Sequence, residues 1–119
     1  MHLTKSVEDY LEAILVLEKK YGKVKSVEIS KMLGVSKPGV TKAMNILKEQ
    51  GYIEKTDYSV IIFTDLGRQI AKEVYEKHTL IKQFLIKLGV SEENAEIDCC
   101  KIEHVISNET FERIRDFLK

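Results

Sequence analysis

Apolar residues recur at helical spacing through most of this chain, interrupted once near the middle by two short β-prone runs. Val7, Leu11, Ile14 and Leu17 mark a first helix from Ser6 to about Lys20, which Gly22 ends. Ser26 is placed to cap a short second helix, Val27 to Leu33, and Gly34-Val35 makes a tight turn. Ser36 then caps a third helix with Pro38 in its first turn, where the missing N–H does no harm. Val40, Ala43, Met44 and Leu47 form that helix's apolar stripe, and Gly51 stops it. Tyr52–Lys55 and Val60–Phe63 flank the polar Thr56–Ser59 and predict a β-hairpin. Thr64 caps a long helix from Asp65 to about Lys87. Gly89 ends it, Ser91 opens another that runs through the cysteines to about Ile106, and Asn108 caps a last one, Glu109 to Leu118. The predicted fold is mainly α with a small β-hairpin: a winged helix-turn-helix over 1–64, then a helical domain over 65–119.

Helix, helix, tight turn, helix, hairpin is the winged helix-turn-helix order. Ile29, Met32 and Leu33 before Gly34, with Val35 and Val40 after it, supply the apolar surfaces on which the two central helices pack. The third helix then keeps an outer face free for the major groove. That face begins with Ser36, Lys37, Pro38, Gly39, Thr41 and Lys42. Hydroxyls, lysines and helix N-terminal amides suit phosphates; Gly39 leaves room for close approach to the duplex, and Asn45 can reach a base or a phosphate. Lys55 and Tyr58 on the hairpin would touch the DNA backbone. A winged helix used only for protein contacts is the alternative, since fold alone does not define function.

Charge sharpens this picture. Net formal charge is zero, but nine lysines face three acids from Lys19 to Lys55, and five acids face one lysine from Leu88 to His104. A basic first half and an acidic later segment fit a polyanion in one place and a cation in the other, although solvated helix faces produce such clusters too. Cys99 and Cys100 are adjacent, so a bridge between them would be strained, and reduced thiols are expected. The apolar stretches are too short to cross a bilayer, and no signal-peptide pattern opens the chain, so a cytoplasmic location is expected.

Cys100, Glu103 and His104 stand at i, i+3 and i+4, which on an α-helix spans about 100° of one face. Glu96 falls on the same side and is a further candidate ligand; Ile102, Val105 and Ile106 fall opposite, and Cys99 points away from His104. A sulfur donor with nitrogen and oxygen donors selects a transition metal over magnesium or calcium. Asp9 and Glu12 on the first helix and His78 on the long helix are possible partners, each with a plainer reading as solvated face or core histidine.

With those residues in view, the whole chain resembles the family of iron- and manganese-dependent repressors that includes the diphtheria toxin repressor and the manganese transport regulator. The resemblance rests on Ser6–Glu12, Val35–Thr41, Thr64–Arg68, Lys77-His78 and above all Cys100–Ser107. It implies metal ligands at Asp9, Glu12, His78, Cys100, Glu103 and His104. Cys100 is the iron-type residue, and Asp9 and Glu12 are manganese-type, a hybrid set that puts Fe(II) ahead of Mn(II). Glu96 and Lys82 stand where iron-type members carry an ancillary histidine and glutamate, so that second site is in doubt. The chain ends at Lys119 without the SH3-like domain of many members or the final helix of the manganese type, which leaves a truncated chain and a short member both open.

The resemblance implies a non-enzymatic repressor that binds a palindromic operator in double-stranded DNA as a homodimer, with Phe84, Leu85, Ile106, Phe111 and Ile114 as candidate dimer contacts. Metal held by both halves would set the spacing of two reading helices about one DNA turn, ~34 Å, apart. Two rivals remain: a winged-helix regulator indifferent to metal, and a small metalloenzyme, for which there is neither a Ser/His/Asp set nor a glycine-rich phosphate loop.

Overall fold

The structure, a computed structural model, describes residues 4–56 and 59–119. It divides into two compact units, Met1–Lys72 and Glu73–Lys119. The order of elements is α1 (Lys5–Tyr21), α2 (Ser26–Leu33), α3 (Lys37–Glu49), β1 (Ile53–Lys55), β2 (Ile61–Phe63), α4 (Asp65–Lys87), α5 (Glu92–Ile102) and α6 (Asn108–Leu118).

In the first unit α1, α2 and α3 pack on one another and β1 lies against α3. Their buried faces make one core of Leu11, Ile14, Leu15, Ile29, Val40, Met44 and Leu47, closed by Tyr52, Ile53 and Ile61 from the hairpin. Burying each such side chain contributes about 1.5–3 kcal/mol. The hairpin is antiparallel, with Ile53 opposite Phe63 and Lys55 opposite Ile61. Val24, between α1 and α2, bridges to the other side of β2: its carbonyl accepts from the Ile61 N–H at 2.8 Å. Met32, expected on the packed side of α2, is instead exposed. The cap of α2 also differs from expectation. Lys25, not Ser26, is the N-cap, because its N–H donates to the Glu28 carboxylate at 3.1 Å and closes the turn from the other side.

The start of α4 is clamped onto the hairpin base. Thr64 Oγ1 donates to the Gly51 carbonyl at 2.6 Å and accepts from the Gly67 N–H at 3.1 Å. A Cβ on Gly67 would collide with the Tyr52 backbone, so only glycine permits this approach. One turn on, Arg68 holds Glu18 of α1 in a two-pronged ion pair at 2.5 and 3.0 Å.

The second unit takes α5, α6 and α4 from Glu73 onward. Ile81, Cys99 and Phe111 form its buried centre, with Leu80, Leu85, Ile102 and Ile106 packed around them. Three of the residues expected at a dimer contact, Leu85, Ile106 and Phe111, therefore serve this unit's own core. The apolar side chains it exposes are Ile86, Leu88, Ile97, Val105 and Phe117. Two boundaries are corrected here. Ser107, not Asn108, caps α6, accepting from the Thr110 N–H at 3.1 Å. And α5 ends at Ile102, not near Ile106: the chain tightens into i→i+3 bonds from His104 N to the Lys101 carbonyl and Val105 N to the Ile102 carbonyl. Val105, expected to pack, is consequently in solvent. Among the described residues no helix is long and apolar enough to cross a membrane.

Candidate metal centre and nucleic-acid interface

The nucleic-acid side is built on α3. Ser36 holds the helix start by accepting from the Gly39 N–H at 3.2 Å. Lys37, Pro38, Thr41, Lys42 and Asn45 are exposed along one face while Val40, Met44 and Leu47 are buried on the other. No acidic residue lies in the first turn, so its amide donors and Lys37 present unopposed positive potential. Gly39 also serves the fold of the turn. It is half-buried, and a Cβ there would press on the Val35 side chain at 2.8 Å, so its bareness lets the turn pack. Lys55 is exposed at the end of β1; Tyr58 lies outside the described residues.

The metal-donor residues of the second unit converge around Glu103. This carboxylate is 1% exposed. Its Oε2 lies 3.2 Å from His78 Nδ1 and its Oε1 3.3 Å from His104 Nε2. Neither oxygen has a hydrogen-bond partner, so these approaches lack bonding geometry despite their short distances. A buried carboxylate left this way costs several kcal/mol unless a cation meets it. An imidazole nitrogen beside each oxygen of a buried carboxylate supplies donor types suited to a divalent transition metal. His78 comes from α4, Glu103 caps the end of α5, and His104 follows in the tight turn. Because α5 stops before it, His104 reaches Glu103 from that turn and not from a continuous helix face.

Both cysteines lie against His78. Cys100 Sγ is 3.8 Å from His78 Nδ1 and 3.9 Å from Glu96 Oε1. Cys99, expected to point away from His104, has its sulfur 3.6 and 3.7 Å from the two His78 nitrogens. It is fully buried and donates to the Glu96 carbonyl at 3.3 Å. Burial first, then the nearby Cys100 and acids, push its thiol up to about 12. His78, Glu96, Cys99 and Cys100 can each offer one donor atom with all four within 4.8 Å of one another.

Glu96 is held from two sides, by His78 Nε2 at 3.1 Å and Lys82 Nζ at 2.9 Å. Partial burial pushes its carboxyl up, but the Lys82 hydrogen bond and the neighbouring charges outweigh that and hold it below the ordinary carboxylate range. Lys82 is raised in turn, chiefly by the same hydrogen bond. The ion pair was not foreseen; the available signal was that His78 and Lys82 stand at i and i+4 on α4. Asp9 and Glu12 belong to α1 of the first unit, where Lys5 Nζ approaches Asp9 Oδ2 at 3.3 Å.

A winged helix-turn-helix with a basic outward helix, coupled in sequence to a helical unit that gathers imidazole, carboxylate and thiol donors, defines a metal-responsive DNA-binding regulator. Two family models cover nearly the whole chain: the iron-dependent repressor N-terminal DNA-binding domain over residues 2–61, and the iron-dependent repressor metal-binding and dimerisation domain over 64–119. The chain belongs to this family of metal-dependent transcriptional repressors. It is 35% identical over 119 residues to an uncharacterized HTH-type transcriptional regulator, MJ0568, of Methanocaldococcus jannaschii, covering 98% of this chain and 95% of that one. It is 35% identical over 116 residues to the transcriptional regulator MntR of Escherichia coli O157:H7, covering 98% of this chain and 75% of MntR. Among solved structures, the manganese regulator SloR matches with a TM-score of 0.82 at 28% identity, over 99% of this chain and 54% of its own. The chain thus spans about half the length of that solved relative.

Proposed function

We propose that this chain is a metal-gated repressor that binds operator DNA as a homodimer and takes ferrous iron ahead of manganese. The observation that carries the metal half of this reading is Glu103: a carboxylate buried to 1% exposure, both oxygens without a hydrogen bond, each within 3.3 Å of an imidazole nitrogen. In this reading Glu103, His78, His104 and Cys100 hold the ion, and the sequence resemblance assigns Asp9 and Glu12 as donors from α1. The bound ion supplies positive charge for Glu103 and a tie between donors from distant parts of the chain. The chain's own residues do the rest. Glu103 and the imidazoles orient one another, Cys100 tunes selectivity, and the exposed Lys37, Thr41, Lys42 and Asn45 of α3 meet the duplex. A metal that favours the DNA-competent state makes metal binding and DNA binding reciprocal by linkage.

Iron is placed first because a thiolate is a softer donor than manganese prefers. The names of several relatives point to manganese in those proteins, so selectivity is the property to test. A palindromic duplex would be selected from a random pool with metal present, then used for mobility shifts titrated anaerobically with Fe(II), Mn(II) and Zn(II). Fe(II) is expected to support binding at lower concentration than Mn(II), and Cys100→Glu to reverse that order. An unchanged order removes the thiol from the account. Equal binding in chelator would favour a metal-independent regulator. Regulator names among the relatives support a non-enzyme.

A further inference from the structure

We propose that Lys82 is a specificity-determining residue: its ammonium takes the Glu96 carboxylate out of the metal's ligand set and makes it the group that orients His78. The inference rests on the metal-binding reading above. Its basis is how the two oxygens of Glu96 are used. Oε2 meets Lys82 Nζ at 2.9 Å, and Oε1 meets His78 Nε2 at 3.1 Å. Lys82 also approaches Glu92 Oε1 at 3.9 Å, so its position is set between two carboxylates of α5. Lys82 follows His78 by four residues on α4, which brings both side chains to the same face opposite Glu96.

A carboxylate that accepts from Nε2 places the ring proton on that nitrogen and presents Nδ1 as the ligating atom. Nδ1 is the nitrogen that faces the buried Glu103 at 3.2 Å and Cys100 at 3.8 Å. The Glu96 contact therefore aims His78 at the donors that need a cation. Without Lys82, the spacing of His78, Glu96, Cys99 and Cys100 within 4.8 Å would suit an ion on the Glu96 side as well. With Lys82 present, an ion there would sit beside a fixed ammonium that repels it and would have to displace that ammonium from Glu96.

The test is the number and affinity of Mn(II) ions bound by the full chain. Equilibrium dialysis and calorimetry would compare wild type with Glu96→Gln, Lys82→Gln, Lys82→Arg and the Lys82→Gln/Glu96→Gln double variant, each checked for folding by circular dichroism. Glu96→Gln should keep the ion count and lose about tenfold in affinity, the effect of removing an outer orienting group. Lys82→Gln should bind one more ion per chain, the double variant should return to the wild-type count, and Lys82→Arg should match wild type. The ¹⁵N shifts of His78 in the metal-free chain should report the Nε2–H tautomer in wild type and its loss in Glu96→Gln. An ion lost in Glu96→Gln makes Glu96 a ligand and overturns the inference, as does an unchanged count in Lys82→Gln. Should Lys82→Gln not fold, the Glu96→Gln count alone decides. A wild type that binds no Mn(II) overturns the proposed function together with this inference; a wild type that binds, with Lys82→Gln unchanged, overturns this inference alone.

Discussion

Replacing Glu103 with glutamine separates the energetic role of this side chain from its chemical one. The change keeps the shape and removes a charge that is almost completely buried without a hydrogen bond. An unsatisfied buried polar group costs about 1–3 kcal/mol, and more when charged. The metal-free Glu103→Gln chain should therefore be more stable than the metal-free wild type by roughly 1–3 kcal/mol. In a domain of this size 1 kcal/mol moves the melting temperature by about 4 °C, so the expected rise is about 4–12 °C. Metal should reverse the ranking. At an ion concentration a hundredfold above Kd, binding stabilises the native state by about 2.7 kcal/mol, or about 10 °C, and Glu103→Gln should lose nearly all of that increment. The assay is thermal unfolding with chelator and with excess Mn(II). A metal-free variant less stable than wild type would mean that Glu103 is already well partnered. A variant that still gains about 10 °C from Mn(II) would mean that the ion binds elsewhere. Either result refutes the reading of Glu103.

Three other predictions concern the DNA-binding unit. Ser36→Ala removes the cap that accepts from Gly39 N–H and should cost about 1 kcal/mol in chemical denaturation; no loss would show that the Pro38 turn holds itself. Gly67→Ala drives a methyl group into the Tyr52 backbone, which cannot rotate away as a side chain can. A loss of about 3 kcal/mol is expected, and a well-folded variant of unchanged melting temperature would contradict the close approach. Lys37→Ala and Lys42→Ala should each weaken duplex binding across sequences and reduce the slope of log affinity against log salt by about one. An unchanged slope would take that lysine off the phosphate backbone.

Helix existence was legible because periodicity is local. Caps were less so, and the errors have one cause. At Ser26 and Asn108 a good capping residue was present, but its neighbour satisfied the backbone first: Lys25 through the Glu28 carboxylate, Ser107 through its own hydroxyl. Propensity ranks residues one at a time, whereas the cap goes to whichever pairing closes the turn. The end of α5 shows the same limit. No glycine or proline marks Ile102, so a helix face drawn through Val105 and Ile106 was the natural extrapolation, and the tightened i→i+3 turn that exposes Val105 leaves no composition signal.

The site divides along similar lines. Cys100, Glu103 and His104 were visible as a group because their spacing is short, even though only Cys100 turns out to lie within α5 proper. His78 was ambiguous in isolation, since a histidine among Val74, Tyr75 and Ile81 reads as core. What separates the two readings is nonlocal: the Nδ1 side faces a buried carboxylate and the Nε2 side an ion-paired one. The contacts of Cys99 with this histidine and of Lys82 with Glu96 were not legible for the same reason, because they depend on what α4 and α5 bring together. A core histidine needs one satisfied partner. One whose two nitrogens meet carboxylates of opposite circumstance, Glu96 paired with Lys82 and Glu103 buried without a hydrogen bond, stands between a satisfied acid and an unsatisfied one, and that asymmetry across a single ring is the physical basis of the proposed metal centre.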